Sequence, residues 1–173
     1  VSNLDEVGSA CDPITIDIQY SAGEQQVILN GKNVNDFIRT ETVSEMSSKI
    51  SAIPEVREKL LSLQRSLAAA ENVIMDGRDI GTHVLPNADV KIFLTADAHV
   101  RAVRRYEEFI AKGVSCTLEN VEREVIERDE RDMNRAIAPL KQAEDAVRVD
   151  TSAMTIEEVV CYLKNLIGQA VAR

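Results

Sequence analysis

The stretch Asn72-Val73-Ile74-Met75-Asp76-Gly77-Arg78-Asp79 joins a short apolar run directly to a charged turn. Two further apolar runs of strand length follow at residues 90–94 and 146–149, each bounded by turn residues. Helical patterns separate and follow these runs near residues 98–112, 117–135 and 155–171, and Thr155 with Glu158 predicts a capping box at the start of the last helix. Strands separated by helices predict an α/β fold in which helices cover a parallel sheet.

The N-terminal part of the chain follows a different pattern. Apolar and polar residues alternate strictly from Ile14 to Tyr20, and Asn30-Gly31 is a strong signal for a tight hairpin. We predict a small antiparallel meander there. From about Glu41 the spacing becomes helical, and Pro54 precedes an apolar stripe that predicts a helix to about Ala70.

Composition and charge restrict the classes of function. The chain has 173 residues, which suits about one domain, and its 45% hydrophobic content and mean hydropathy of −0.14 are typical of a globular protein. The formal net charge of −9 argues against a general nucleic-acid surface. No apolar run approaches the ~18 residues of a membrane span. Three scattered cysteines suggest neither a disulfide framework nor a zinc site, so we expect a cytoplasmic protein.

The first candidate for chemistry is the charged turn of residues 76–79. Ligands bind beyond the carboxyl ends of strands in open parallel sheets, which favours a binding site here. The alternative is a polar turn in which an aspartate caps the following segment and Gly77 supplies an unusual backbone angle. The residue pattern leaves both interpretations open.

The second candidate is the run of charged residues 128–135. At roughly 100° per residue, Arg131, Asp132 and Arg135 lie within about 60° of Arg128 on a helix. Three guanidinium groups with one carboxylate leave room for a bound anion, and arginine suits bidentate phosphate contact. The alternative is a solvated helix with salt bridges to nearby acidic residues.

Other polar residues are less informative. His83 and His99 lack a catalytic partner at motif spacing, so we expect surface or packing roles for both. Arg101, Arg104 and Arg105 precede two glutamates on a predicted helix, and a solvated face is the simplest interpretation.

Together, residues 76–82, 91–94 and 127–140 resemble the bacterial cytidylate kinases. The last of these strings, Glu-Arg-Asp-Glu-Arg-Asp-Met-Asn-Arg-Ala-Ile-Ala-Pro-Leu, is close to a signature of that family. The resemblance extends to residues 38–43 and to the meander before them. It implies a P-loop nucleoside-monophosphate-kinase fold that moves the γ-phosphoryl group of ATP onto CMP or dCMP.

The resemblance also implies a domain organisation. Residues 1–71 resemble the monophosphate-binding region, with the antiparallel insert at about 13–36. Residues 72–173 resemble the core strands and helices, with a lid region at about 101–135.

Roles for individual residues come from the resemblance as well. The residues that resemble the family's readers of the cytosine edge are Ser48, Arg57 and Asp79. Those that resemble the ribose-binding residues are Arg128 and Asp132, and those that resemble the phosphate-binding arginines are Arg78 and Arg135. The catalytic set implied in this way is Arg78, Arg128, Arg131 and Arg135.

The resemblance implies ATP as co-substrate and Mg²⁺ as cofactor. The expected partners are CMP or dCMP and ATP. We expect a monomer that contacts neither nucleic acid nor membrane. Members of the family open with a strand, a GxxxxGK[ST] loop and a helix, but no such string occurs in these 173 residues. The single Gly-Lys pair, Gly31-Lys32, lies in the predicted hairpin. The residues that hold ATP are therefore unknown, no metal ligand is predicted, and we expect this chain to correspond to a family member without its opening segment.

Two rival interpretations remain at this stage. One is a non-catalytic nucleotide-binding or interaction domain derived from the same fold. The other is a related kinase that acts on UMP or AMP, which the presence of Ser48, Arg57 and Asp79 disfavours.

We predict that the 173-residue chain alone transfers no measurable phosphoryl group from ATP to CMP. The reason is that positioning supplies most of the catalysis in this chemistry, and no glycine-rich loop is present to grip the β- and γ-phosphates. A coupled assay for CDP measures this directly. Robust CDP formation without a complementing fragment contradicts the prediction.

Overall fold

The computed structural model describes residues 7, 10, 11, 13–51 and 53–171. The chain divides into two compact units, one ending at Val73 and the other beginning at Ile74. The functional roles expected for residues 1–71 and for the lid at about 101–135 stay predictions.

The first unit contains the predicted antiparallel meander. Its strands are β1 (Ile16–Ser21), β2 (Glu24–Leu29) and β3 (Lys32–Asn33), in that order in the sheet. The turn between β2 and β3 needs positive φ at both central residues, and Asn30 and Gly31 have φ of 48° and 78°. The hairpin signal in the sequence is therefore confirmed.

Three helices follow the meander: α1 (Asn35–Ile38), α2 (Glu41–Ile50) and α3 (Pro54–Ala70). Pro54 stands in the first turn of α3, where a proline costs no intrahelical hydrogen bond. The helical spacing found from Glu41 onward is thus divided into two helices, one ending at Ile50 and the other beginning at Pro54.

The predicted strand at residues 72–75 is wrong. These residues form no regular element and pair with no described strand, and Ile74 is 94% exposed. A strand needs a neighbour to accept and donate its backbone hydrogen bonds, and local apolar character cannot supply one.

The second unit confirms the α/β fold and the other predicted elements. Strands β4 (Ile92–Thr95) and β5 (Val147–Asp150) pair in parallel, with Ile92 opposite Val147. Its helices are α4 (Ala98–Ala111), α5 (Leu118–Asn134) and α6 (Ile156–Val171). The capping box predicted for α6 is present, since Glu158 accepts from the Thr155 backbone N–H and Thr155 accepts from that of Glu158.

Helices α4 and α5 share a small apolar core. Ala102 of α4 packs with Val121 and Val125 of α5, and partly buried residues such as Tyr106 and Phe109 surround them. This core fixes the N-terminal half of α5 against α4. Among the described residues, no helix is long and apolar enough to cross a membrane.

Candidate functional site

The buried stripe of α5 changes from apolar to charged along its length. Val121, Val125, Arg128 and Asp132 follow one another at helical spacing, and all are buried or half-buried. A carboxylate such as that of Asp132, only 5% exposed, is costly to bury unless it is paired. The second half of the stripe therefore needs charged partners rather than packing.

Two guanidinium groups partner Asp132. Arg78 Nε donates to Asp132 Oδ2 at 3.1 Å, and Arg128 Nε lies 3.9 Å from the same oxygen. One carboxylate thus stands between two cations that repel each other. This contact brings the charged turn of residues 76–79 to the C-terminal half of α5.

A second ion pair lies beside the first. Arg135 NH2 is 3.3 Å from Asp79 Oδ1, with the two side chains 12% and 13% exposed. The same NH2 atom is buried but makes no hydrogen bond of good geometry to a described residue. Arg135 Nε donates to the Ala138 carbonyl at 2.7 Å, which fixes the guanidinium plane.

The prediction that Arg135 lies on the helix face is wrong. Helix α5 ends at Asn134, and Arg135 has an extended backbone with ψ of 142°. The chain then reverses, and the Leu140 N–H donates to the Asp132 carbonyl at 2.8 Å. That bond satisfies a carbonyl of the last helical turn, so Arg135 leaves the helix and turns toward Asp79.

The turn around Asp79 has an unusual backbone. A π-helical turn, Ile80–Val84, begins after Asp79, whose carbonyl accepts N–H bonds from Thr82, His83 and Val84 at 2.9 to 3.3 Å. The Asp79 side chain does not cap this turn. The Asp79 carboxylate faces Arg135 instead, so the interpretation of residues 76–79 as a simple capping turn does not explain this carboxylate.

Positive charge exceeds negative charge in this region. We name the arginine cluster as four arginines and the two carboxylates among them: Arg78, Arg128, Arg131, Arg135, Asp79 and Asp132. Burial lowers the pKa of Arg128, and repulsion from Arg78, Arg105 and Arg131 lowers it further, against the opposing attraction of Asp132. An anion bound beside Arg128 relieves this repulsion, so the cluster suits a phosphate group.

Three further predicted site residues are Ser48, Arg57 and Arg131. The side chain of Ser48 lies outside the described residues, and Arg57 belongs to the first unit, where its NH1 donates to the Ser51 carbonyl at 3.2 Å. Arg131 is exposed on α5. The assignment of Ser48, Arg57 and Asp79 to one cytosine-reading set stays a prediction.

The sequence interpretation missed the partners of the α4 arginines. Arg101 makes a bidentate contact with Asp129 of α5, and Arg104 donates to the Thr151 and Met154 carbonyls at 2.6 and 3.1 Å. The solvated face expected for Arg101 is therefore wrong, since its side chain is half-buried against α5, whereas Arg104 is exposed as expected. Their partners lie far along the chain, so spacing on α4 could not reveal them.

His99 has a partner that spacing did not reveal. Its Nδ1 lies 2.9 Å from Glu122 Oε2, and this hydrogen bond, together with the charge of Glu122, raises the pKa of His99. The side chain is exposed, as expected of a surface residue. The pair links α4 to α5 at the end remote from Asp132.

A metal site is not apparent in the described part of the chain. No group of three or more His, Cys, Asp or Glu side chains there could hold an ion. We therefore assign no residue of this chain to the Mg²⁺ that the resemblance implies.

Comparison with known proteins agrees with the resemblance noted in the sequence. Residues 3–169 match the family model described as cytidylate kinase. A cytidylate kinase from Carboxydothermus hydrogenoformans is 52% identical over 155 residues, covering 88% of this chain and 70% of that protein. The cytidylate kinase of Bacillus cytotoxicus is 42% identical over 173 residues, covering 100% of this chain and 77% of that protein.

We predict that Asp132→Asn lowers the free energy of unfolding by about 3 kcal/mol, because it leaves Arg78 and Arg128 close together without their shared counter-charge. Urea denaturation measures the loss. Glu130→Gln, an exposed position on the same helix, is the matched control and should stay within about 0.5 kcal/mol of wild type. A loss for Asp132→Asn no larger than the control's contradicts the counter-charge role.

Proposed function

The chain belongs to the cytidylate kinase family, and we propose that its arginine cluster binds CMP or dCMP so that the nucleotide's phosphate can receive the γ-phosphoryl group of ATP. Family membership makes the protein a phosphotransferase and implies ATP as co-substrate. The identity of the accepting nucleotide and the roles of single residues are what the proposal adds.

The observation that carries the proposal is the imbalance of charge around Asp132. The cluster holds four guanidinium groups but only two carboxylates, and three of the four, those of Arg78, Arg128 and Arg135, contact these carboxylates. Repulsion from neighbouring arginines contributes to the lowered pKa of Arg128. A phosphate monoester carries about −1.5 to −2 charges at pH 7, which matches the missing negative charge. A purely structural salt-bridge network has no need of that excess.

The two ends of the cluster suit different parts of the nucleotide. Arg78 and Arg135 are proposed to hold the phosphate, since each offers further donors beyond its present carboxylate contact. Asp132, whose Oδ2 accepts from Arg78 Nε, is proposed to accept from a ribose hydroxyl beside Arg128 through its other oxygen.

These roles fit the chemistry of phosphoryl transfer. The accepting phosphate oxygen attacks the γ-phosphorus of ATP, the bond to the β-phosphate oxygen breaks, and ADP leaves. Charge spreads over the transferred oxygens in the transition state, and fixed guanidinium groups stabilise that charge without reorganising. Arg131, exposed on α5, is proposed to help Arg128 and Arg135 stabilise this charge.

Base recognition is proposed to involve Ser48, Arg57 and Asp79. Their residue types can donate and accept along the edge of a cytosine, and the support for this assignment is the family resemblance of their positions. A site built to hydrogen-bond one base rejects analogues that leave its polar groups unpaired.

We expect Arg135→Met to raise the Kd for CMP by about thirtyfold, equivalent to about 2 kcal/mol, because a charged hydrogen bond to phosphate is lost. The Kd for cytidine, which has no phosphate, should stay unchanged. Titration calorimetry of both ligands measures the difference. Arg148→Met, an exposed arginine on β5, is the control and should alter neither affinity. Equal weakening of CMP and cytidine contradicts a phosphate role for Arg135.

We expect Ser48→Ala and Arg57→Met each to reduce the preference for CMP over UMP by about fivefold to tenfold, since each removes one hydrogen-bonding partner of the base. The ratio of the two dissociation constants is the measurement. Ser62→Ala and Arg65→Met, on the exposed side of α3, are matched controls. An equal loss of affinity for CMP and UMP contradicts a role of these residues in base recognition.

A further inference from the structure

Arg101 joins three elements beside the arginine cluster. From α4, its Nε donates to the Ala96 carbonyl at 3.0 Å, directly after β4. Its two terminal nitrogens donate to the two carboxylate oxygens of Asp129 on α5, at 3.1 and 2.5 Å. A planar guanidinium held at both ends fixes the distance and the angle between the groups it joins.

Asp129 occupies a decisive position on α5. It directly follows Arg128 and precedes Asp132 by three residues, so its side chain lies within one helical turn of both. Any rotation or shift of this part of α5 moves Arg128 and Asp132 together with it.

Among the residues that the structure describes, the buried apolar cluster does not extend to this end of the helix. The core cluster that fixes α5 contains Val121 and Val125, and the stripe beyond them continues as Arg128 and Asp132. Ion pairs replace side-chain interlocking there. The bidentate contact from Arg101 ties that half of α5 to the end of β4.

We propose that Arg101 is a positioning residue for nucleotide binding, acting through Asp129 to hold Arg128 and Asp132 in the arrangement that accepts the ligand. The inference rests on the proposed function, because it concerns how that same site keeps its geometry. Arg101 itself is not placed in contact with the nucleotide.

The alternative is a simple field effect of charge. By field alone, loss of the positive Arg101 weakens the binding of an anion, whereas loss of the negative Asp129 strengthens it. Positioning predicts weaker binding in both cases, since either change breaks the same contact. The sign of the Asp129 effect therefore separates the two explanations.

Arg104 provides a matched control on the same helix. It carries the same charge as Arg101, but its described contacts are with Thr151 and Met154, beyond β5, rather than with α5. Glu124, exposed on α5, is the corresponding control for the removal of a carboxylate.

The test compares CMP binding, by titration calorimetry, for Arg101→Gln, Asp129→Ala, their double variant, Arg104→Gln and Glu124→Ala. We expect each of the first two to raise the Kd about tenfold, within the range seen when a supporting contact of a preorganised site is lost. The double variant should be no weaker than either single variant, because both remove one shared interaction. The two controls should stay within about twofold of wild type.

Arg101→Lys adds a variant that keeps the charge and disturbs the fold least. A lysine cannot make the bidentate contact, so its Kd should approach that of Arg101→Gln. Wild-type affinity in Arg101→Lys, or tighter binding by Asp129→Ala, overturns the proposal in favour of a field effect.

Hydrogen exchange of the backbone amides gives a readout that needs no ligand. Arg101→Gln should speed exchange in residues 128–134 and leave the β1–β2 meander unchanged, whereas Arg104→Gln should not affect residues 128–134. If wild type binds no CMP, the proposed function fails, and exchange alone then decides the positioning role. Unchanged exchange in residues 128–134 overturns that role.

Discussion

The buried carboxylate of Asp132 is the constraint on which the second unit depends. A carboxylate so far from water must be paired, and it is paired with Arg78 from a distant turn and Arg128 from its own helix. Satisfying Asp132 therefore joins two parts of the chain that are 54 residues apart. The same contact crowds two cations together, which is the physical basis of the anion site that we propose.

Helix α5 has two halves with different tasks. Near its start, Val121 and Val125 pack against Ala102 of α4, which gives the helix its place. Near its end, the same stripe carries Arg128 and Asp132, and the described ion pairs there include Asp132 with Arg78 and Asp129 with Arg101. The proposed binding site continues a core stripe, so it gains rigidity from the core and presents charge at the end of the helix.

Prediction from the sequence succeeded where the information is local and failed where a partner is needed. The hairpin at Asn30-Gly31 and the capping box of α6 depend on residues a few positions apart, and both are present. The strand expected at residues 72–75 depends on a neighbouring strand that local composition does not specify. Arg101 was expected on a solvated face, and this prediction failed because its partner Asp129 lies on another helix.

The sequence by itself determined the α/β class, most of the helix and strand positions, and the family. Periodicity, turn residues and the string at residues 127–140 each depend only on residues close together in the sequence. It also held an unused signal, the replacement of apolar residues by Arg128 and Asp132 on the continuing stripe of α5. Only the tertiary structure decided which charges meet: Arg78 with Asp132, Arg135 with Asp79, and Arg101 with Asp129. Ion pairs have no period in a sequence, since their geometry depends on how whole elements pack.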